Sequence, residues 1–208
     1  MHTEPLPGVF DVTCTETASG RIRAFLFDDG TLVDCGLSNT TTELLDGIAE
    51  TDVDPERLVV THADRDHVGG FDAVVRDHWV ETYVPEGAVV DTEYEIDHRY
   101  SDGDVIAGFE AVHTPGHRDH QHVLIDETRN GGNGIAVLAD ALSGSDQRGL
   151  PAGYFHLPPA VYTDDLGLAE RSLERLLEYE FDAGLVYHGS SVLEGARAKL
   201  EAYVYRPD

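Results

Sequence analysis

Apolar positions recur along this chain in short bursts, and the bursts switch between a strand period and a helix period. Residues 9–13 and 21–27 alternate or run apolar, as strands do. Asp28-Asp29-Gly30 carries a hairpin signature, with residues 31–34 as the returning strand. Ser38, Asn39 and Thr40 offer capping side chains ahead of Leu44, Leu45 and Ile48, which predicts an amphipathic helix. Asp54-Pro55 then breaks the chain into an apolar strand, Leu58-Val59-Val60 with Arg57 leading, and a helix is predicted over residues 70–78. Glu81 to Val84 reads as a short strand that stops at Pro85. Residues 86–104 are acidic and too weakly periodic to predict an element. A strand pair is expected from residue 105 through 109–113, followed by strands at 122–126 and 135–139 around a loop at 128–133. Residues 143–163, rich in Gly, Pro and aromatics, predict a long loop. Asp164-Asp165 cap a helix bearing Leu166, Leu168, Leu173, Leu176 and Leu177. A last strand at 184–187 and a helix over 192–204 close the chain. Strands interspersed with helices, without repeats or linkers, predict one α/β domain over residues 1–208.

Composition sharpens this picture. The 208 residues carry 40 acidic and 14 basic side chains, a formal charge of −26, and Lys199 is the single lysine. Such a surface repels nucleic acid and anionic membranes, so neither is expected as a partner. The 41% hydrophobic content, arranged periodically, argues against disorder. Heavy negative charge with Arg in place of Lys fits a halophile's protein, because self-repulsion is screened over about 3 Å at 1 M salt. Cys14 and Cys35 fall in or beside apolar strands and read as buried thiols, too few for a disulfide scaffold. No charged-then-apolar leader and no 18-residue apolar run occur, so a soluble cytoplasmic protein is expected.

The chemistry concentrates in residues 61–70, Thr-His-Ala-Asp-Arg-Asp-His-Val-Gly-Gly. His62, Asp64, Asp66 and His67 crowd imidazole and carboxylate donors at a strand-to-helix corner, a set suited to borderline or hard divalent metals. Three further polar residues follow apolar strands: His117 after Thr-Pro-Gly, Asp140 after residues 135–139, and His188 after Leu185-Val186-Tyr187. Strand ends project side chains from a rigid sheet, which suits ligand placement. No Gly-x-Ser-x-Gly elbow, phosphate loop or Gly-x-Gly-x-x-Gly competes with them.

In this order the motifs resemble those of the metallo-β-lactamase superfamily. Residues 62–70 are similar to its His-x-His-x-Asp-His signature followed by Gly-Gly. His-Thr-Pro-Gly-His at 113–117, Val-Leu-Ala-Asp-Ala-Leu-Ser-Gly at 137–144, Tyr-His-Gly at 187–189 and Leu-Val-Asp-Cys-Gly at 32–36 are similar to its later and earlier segments. The resemblance implies an αββα sandwich of two mixed β-sheets flanked by helices, with a dinuclear metal site. One ion would take His62, Asp64 and His117, the other Asp66, His67 and His188, with Asp140 bridging. Asp64 stands where the family usually has histidine. Zinc is the first expectation for both ions, but an added carboxylate shifts the site toward iron or manganese, and the flavodiiron branch uses a carboxylate there.

That resemblance further implies a hydrolase of a small-molecule substrate. Two ions about 3.5–4 Å apart would hold a hydroxide for attack, with Asp66 orienting it or taking its proton. A small ester, thioester or lactone is the expected substrate. Tyr154, His156 and Tyr162, in the loop that also holds Phe155, are candidate substrate contacts. The alternatives are a di-iron redox or metal-binding protein, and a catalytically silent member that binds a ligand. His113 is read as a hydrogen-bond donor to a ligand carboxylate, and His120 and His122 are not assigned as ligands. Oligomeric state is not readable from the chain.

The charge balance supplies a direct test. The unfolding midpoint should rise from low salt to molar KCl, and equal stability in both would overturn the high-salt reading.

Overall fold

In the computed structural model, residues 2–17 and 20–205 are described. They divide into two compact units, residues 1–100 and 101–208.

The first unit is a seven-stranded sheet in simple chain order. Its strands are β1 (His2–Leu6), β2 (Val9–Thr17), β3 (Gly20–Phe27), β4 (Thr31–Val33), β5 (Arg57–Val59), β6 (Glu81–Pro85) and β7 (His98–Tyr100). The predicted Asp28-Asp29-Gly30 hairpin joins β3 to β4, with Gly30 N–H on the Phe27 carbonyl at 2.9 Å. From β4 onward the pairing turns parallel, β4 with β5, β5 with β6, β6 with β7. Parallel neighbours need crossovers, and the helices supply two of them: α1 (Thr41–Ala49) before β5, then α2 (Arg65–Val68) and α3 (Phe71–His78) before β6. Leu44 and Ile48 of α1 and Phe71, Val74 and Val75 of α3 join Val12, Leu26, Leu32, Leu58 and Val60 in one buried cluster.

Several sequence expectations need refinement. Thr40 is the cap residue of α1, but its side chain makes no cap bond and donates to the Leu37 carbonyl at 3.1 Å. Within residues 86–104 a strand forms, because Asp97 accepts from both the backbone and the hydroxyl of Thr82 and seats β7 beside β6. Tyr100 ends β7 by donating its hydroxyl to the Val60 carbonyl at 2.6 Å.

The second unit is a five-stranded sheet in the order β14-β11-β10-β9-β8. Its strands are β8 (Val105–Ile106), β9 (Phe109–His113), β10 (His122–Asp126), β11 (Ile135–Ala139) and β14 (Ala183–Val186). Only β11 and β14 pair in parallel. A distorted turn, α4 (Arg129–Gly132), joins β10 to β11. The expected loop over 143–163 contains a small hairpin, β12 (Ser143–Gly144) with β13 (Phe155–His156), whose Phe155 is buried. Asp165 does cap α5 (Leu166–Ser172), accepting from the Leu168 N–H at 2.8 Å. The last helix, α6, starts later than expected, at Ala196–Val204, because Val192 still exchanges backbone bonds with Gly184. Leu173, Leu176, Ala196 and Leu200 pack with Val123, Ile125, Leu138 and Val186. No helix among the described residues is long and apolar enough to cross a membrane.

Leu58, fully buried in the central parallel strand, is a sensitive position. Leu58→Ala should lower the unfolding free energy by about 2–5 kcal/mol in a denaturant titration. Val105→Ala, at a 67% exposed position of β8, should change it by no more than about 0.5 kcal/mol.

Candidate metal centre

Except for His117, which follows the antiparallel β9, the candidate ligands of each unit lie just past the carboxyl ends of parallel strands. In the first unit Val33 of β4 lies opposite Val59 of β5, so Asp34 and the segment beginning at Val60 leave the sheet side by side. Asp34 adopts a left-handed conformation, φ +58°. Its fully buried carboxylate accepts three hydrogen bonds, from Thr61 N–H (2.7 Å), Thr61 Oγ1 (2.6 Å) and His67 Nδ1 (2.9 Å). Since the carboxylate can only accept, His67 carries its proton on Nδ1, and its Nε2 is left as the basic nitrogen. The Thr61 hydroxyl has spent its proton on Asp34, so its oxygen accepts from Nδ1 of His62 at 3.2 Å. His62 is thereby held in the same tautomer. A buried carboxylate behind an imidazole is the support that metal-binding histidines need.

The turn that carries these residues is clamped to the segment after β4. Cys35 N–H donates to the His67 carbonyl at 2.8 Å, and Gly69 N–H to the Gly36 carbonyl at 2.7 Å. That closeness explains the two glycines. A Cβ at Gly69 would stand 2.3 Å from Ser38 N, and one at Gly70 2.3 Å from the Cys35 carbonyl oxygen. Within this unit His62 lies close to Asp64, and Asp66 close to His67. His62 Nε2 is 3.8 Å from Asp64 Oδ2, and a donor atom of Asp66 lies within 4.8 Å of one from His67. The His62 and His67 rings are 3.9 Å apart between centroids, so the pairs adjoin. Asp66 and His67 sit on α2, a helical turn where the sequence suggested only a corner.

In the second unit Asp140 follows β11 and His188 lies two residues past β14. A register shift between Val137 and Ala139, with Ala139 at φ +45°, turns the chain at Asp140. His117 Nε2 and His188 Nε2 are each 3.5 Å from Asp140 Oδ2. That is too long for ordinary hydrogen bonds. Two donors each about 2.1 Å from one ion at a tetrahedral angle lie about 3.4 Å apart, so the spacing fits a shared metal. Gly144 N–H holds the His188 carbonyl at 2.8 Å, while Asp146 accepts from Ser190 N–H and Oγ at 2.7 Å. The His117 loop is pinned to the start of α5, where Asp165 N–H donates to Gly116 and Asp164 N–H to His117. Thr163 Oγ1 lies 3.5 Å from His117 Nδ1.

The remaining candidates are placed as follows. Tyr154 and Tyr162 are exposed and His156 is buried in β13, its Nδ1 2.6 Å from the Leu157 carbonyl. Arg118 donates to the carbonyls of His117 and Tyr162, which sets Tyr162 beside the His117 loop. His113, expected to reach a ligand carboxylate, instead sets Nε2 2.6 Å from the Asp119 carbonyl. His122 is buried, and burial brings its pKa down to about 4, so it is a neutral imidazole next to His113. Burial pushes the Cys14 thiol up to about 12 and Cys35 well above its ordinary value, so neither offers a thiolate. Asp34 is the functional residue that ligand counting missed. Its signal was the resemblance of residues 32–36, where a lone Asp ends an apolar strand.

The clamp can be tested directly. Asp34→Asn keeps the shape but places an amide where His67 needs an acceptor. Competition against a chromophoric chelator should read metal affinity about 10–100-fold weaker. Unchanged affinity would remove Asp34 from the site.

Comparison with known proteins identifies the family and the fold. The family model described as the metallo-beta-lactamase superfamily matches residues 24–199. Among solved structures, the subclass B3 metallo-β-lactamase BJP-1 of Bradyrhizobium japonicum aligns with TM-score 0.68 at 16% identity, over 98% of this chain and 89% of that one. A Cronobacter sakazakii metallo-β-lactamase described by its HARLDQ motif aligns with TM-score 0.66 at 18% identity, over 90% and 80%. The class B3 di-zinc enzyme LRA-12 from an Alaskan soil metagenome gives 0.64 at 14%, over 90% and 78%. At these identities the structures attest the fold: two mixed sheets with flanking helices. With the family match covering most of its length, this chain belongs to the metallo-β-lactamase superfamily.

Proposed function

We propose that the protein is a metal-dependent hydrolase of a small ester, thioester or lactone, with its two units acting as one domain. In this reading His62, Asp64 and His117 hold one divalent ion, Asp66, His67 and His188 hold a second, and Asp140 is shared. The observation that carries it is the tautomer lock: Asp34 and Thr61 accept hydrogen bonds from the Nδ1–H groups of His67 and His62. Such a lock serves ligation at Nε2 better than it serves folding, since an apolar core would need no buried imidazole. The convergence of two Nε2 atoms on Asp140 supports the same reading.

When bound, the ions supply Lewis acidity, which lowers the pKa of a ligated water toward about 7 and polarises a substrate oxygen. The chain's own groups do the rest. Asp66, on the first turn of α2, offers a carboxylate to orient the nucleophile and accept its proton. Tyr162, fastened beside the His117 loop through Arg118, is the side chain we assign to substrate contact, with Tyr154 and His156 of the hairpin segment beside it in the assignment. The −26 charge makes nucleic acid a poor substrate and favours small molecules.

Zinc is the first expectation, in keeping with the di-zinc relative. Asp64 motivates a second reading, a di-iron redox or metal-binding centre. A carboxylate oxygen replaces a nitrogen donor there and hardens the site toward iron or manganese.

Metal analysis joined to a panel of esters, thioesters and lactones separates the readings. Close to two equivalents of zinc, with turnover lost to chelator and restored by zinc, is the expected result. Iron with visible absorbance and no hydrolysis would favour the redox centre instead. His67→Ala should lower both metal content and kcat/KM, the latter by at least about a thousandfold. Retained turnover in His67→Ala would overturn the dinuclear reading.

A further inference from the structure

A cavity of about 410 Å³ lies in the second unit, lined by Arg148, the β13 residue His156, Leu157, Pro158, Ala160, Leu166 and Tyr203. Its volume falls within the range of small-molecule sites, about 300–1,000 Å³. None of the proposed metal ligands lines it. Its chemistry is unusual for this chain. Acids outnumber bases forty to fourteen, yet no Asp or Glu lines the cavity and Arg148 is its one permanent charge.

Arg148 is also used differently from most arginines here. Arg57, Arg76, Arg118, Arg129, Arg175 and Arg197 each sit within ion-pair distance of a carboxylate. Arg148 donates Nη2 to the Leu157 carbonyl at 2.8 Å, a neutral acceptor, and pairs with no carboxylate among the described residues. The wall opposite is held in place. Leu157 N–H donates to the Tyr203 hydroxyl at 3.1 Å, and its carbonyl takes both Arg148 and His156 Nδ1. Leu157, Pro158, Ala160 and Leu166 make the remaining lining apolar. An apolar wall fixed by backbone bonds, with a guanidinium fork beside it, is a preformed amphipathic receptor.

We propose that this cavity binds an organic monoanion, a carboxylate whose aryl or alkyl body packs on Leu157, Pro158, Ala160 and Leu166 while its oxygens engage Arg148. The planar fork matches a carboxylate in a bidentate pair. The surrounding charge of −26 selects against multiply charged ligands such as phosphate esters, since long-range repulsion grows with ligand charge. The proposal does not rest on the metal reading, although His156, which borders this cavity, is also named there as a candidate substrate contact.

The experiment is a calorimetric titration of the full chain with 3-phenylpropanoate at fixed ionic strength, in the presence and absence of chelator. Saturable binding is expected in both conditions. The neutral isostere 3-phenylpropanamide should bind at least about tenfold more weakly, the loss of one charge-assisted pair. Arg148→Gln, at an exposed position, should weaken the carboxylate by a similar factor, and Arg148→Lys should recover part of it. Equal affinity of acid and amide for the unaltered protein would overturn the proposal, whatever the variants do. So would equal binding by Arg148→Gln, binding seen only with metal present, or no saturable binding.

Discussion

The carboxylate of Asp34 is the constraint on which the first unit's chemistry depends. It is fully buried and sits at the end of a central strand, and it receives two groups from Thr61 and one from His67. Hydrogen bonds to a charged acceptor are worth about 1.5–3 kcal/mol each, and a buried carboxylate deprived of them is costly. The energetics therefore leave little freedom. Wherever Asp34 goes, the ends of β4 and β5 and the α2 turn must follow, and with them the ring orientation of both histidines. The left-handed backbone at Asp34 and the close packing of Gly69 and Gly70 are the local costs of holding three segments this near one another.

The second unit reaches a comparable end by different means. The backbone itself is distorted, through a register shift and a positive φ at Ala139 that swing Asp140 off the sheet. His188 is then fixed by glycine contacts: a Cβ at Gly189 would lie 2.6 Å from the Gly144 carbonyl oxygen, and one at Gly144 2.5 Å from Ser190 N. His117 follows the antiparallel β9, whereas Asp140 and His188 follow the parallel pair β11 and β14, and the first unit's ligand candidates follow β5 of its parallel set. Strand carboxyl ends converge there, which is where open α/β sheets collect their functional groups.

The scarcity of lysine also gains a structural explanation. Arg99 ties the carbonyls of Pro85 and Ala88, Arg197 those of Tyr179 and Leu177, and Arg175 joins the His113 carbonyl to Asp102. Arg175 and Arg197 each fasten a loop through two nitrogens of a planar fork, which a single ammonium does less well, while Arg99 makes both of its bonds through Nη1. Preference for arginine thus serves loop anchoring as well as any adaptation to salt.

Much of this was legible in the chain. Apolar runs ending in a lone His or Asp marked His62, His117, Asp140 and His188 as strand-end residues, because strand burial depends on local pattern and the first polar residue after it must leave the core. The hairpin at Asp28-Asp29-Gly30 and the Asp165 cap were readable for the same local reason. Other features were not. The role of Asp34 depends on partners 27 and 33 residues away. The strand β7 exists through Asp97 on Thr82, fifteen residues distant, and the β12–β13 hairpin hides among Gly and Pro that locally favour a loop. Composition and periodicity marked which polar residues end strands and which segments had to be buried, and the family resemblance singled out the ligand candidates among them. Only the tertiary structure decided which nitrogen each imidazole offers, since that follows from hydrogen bonds between segments that no local pattern contains.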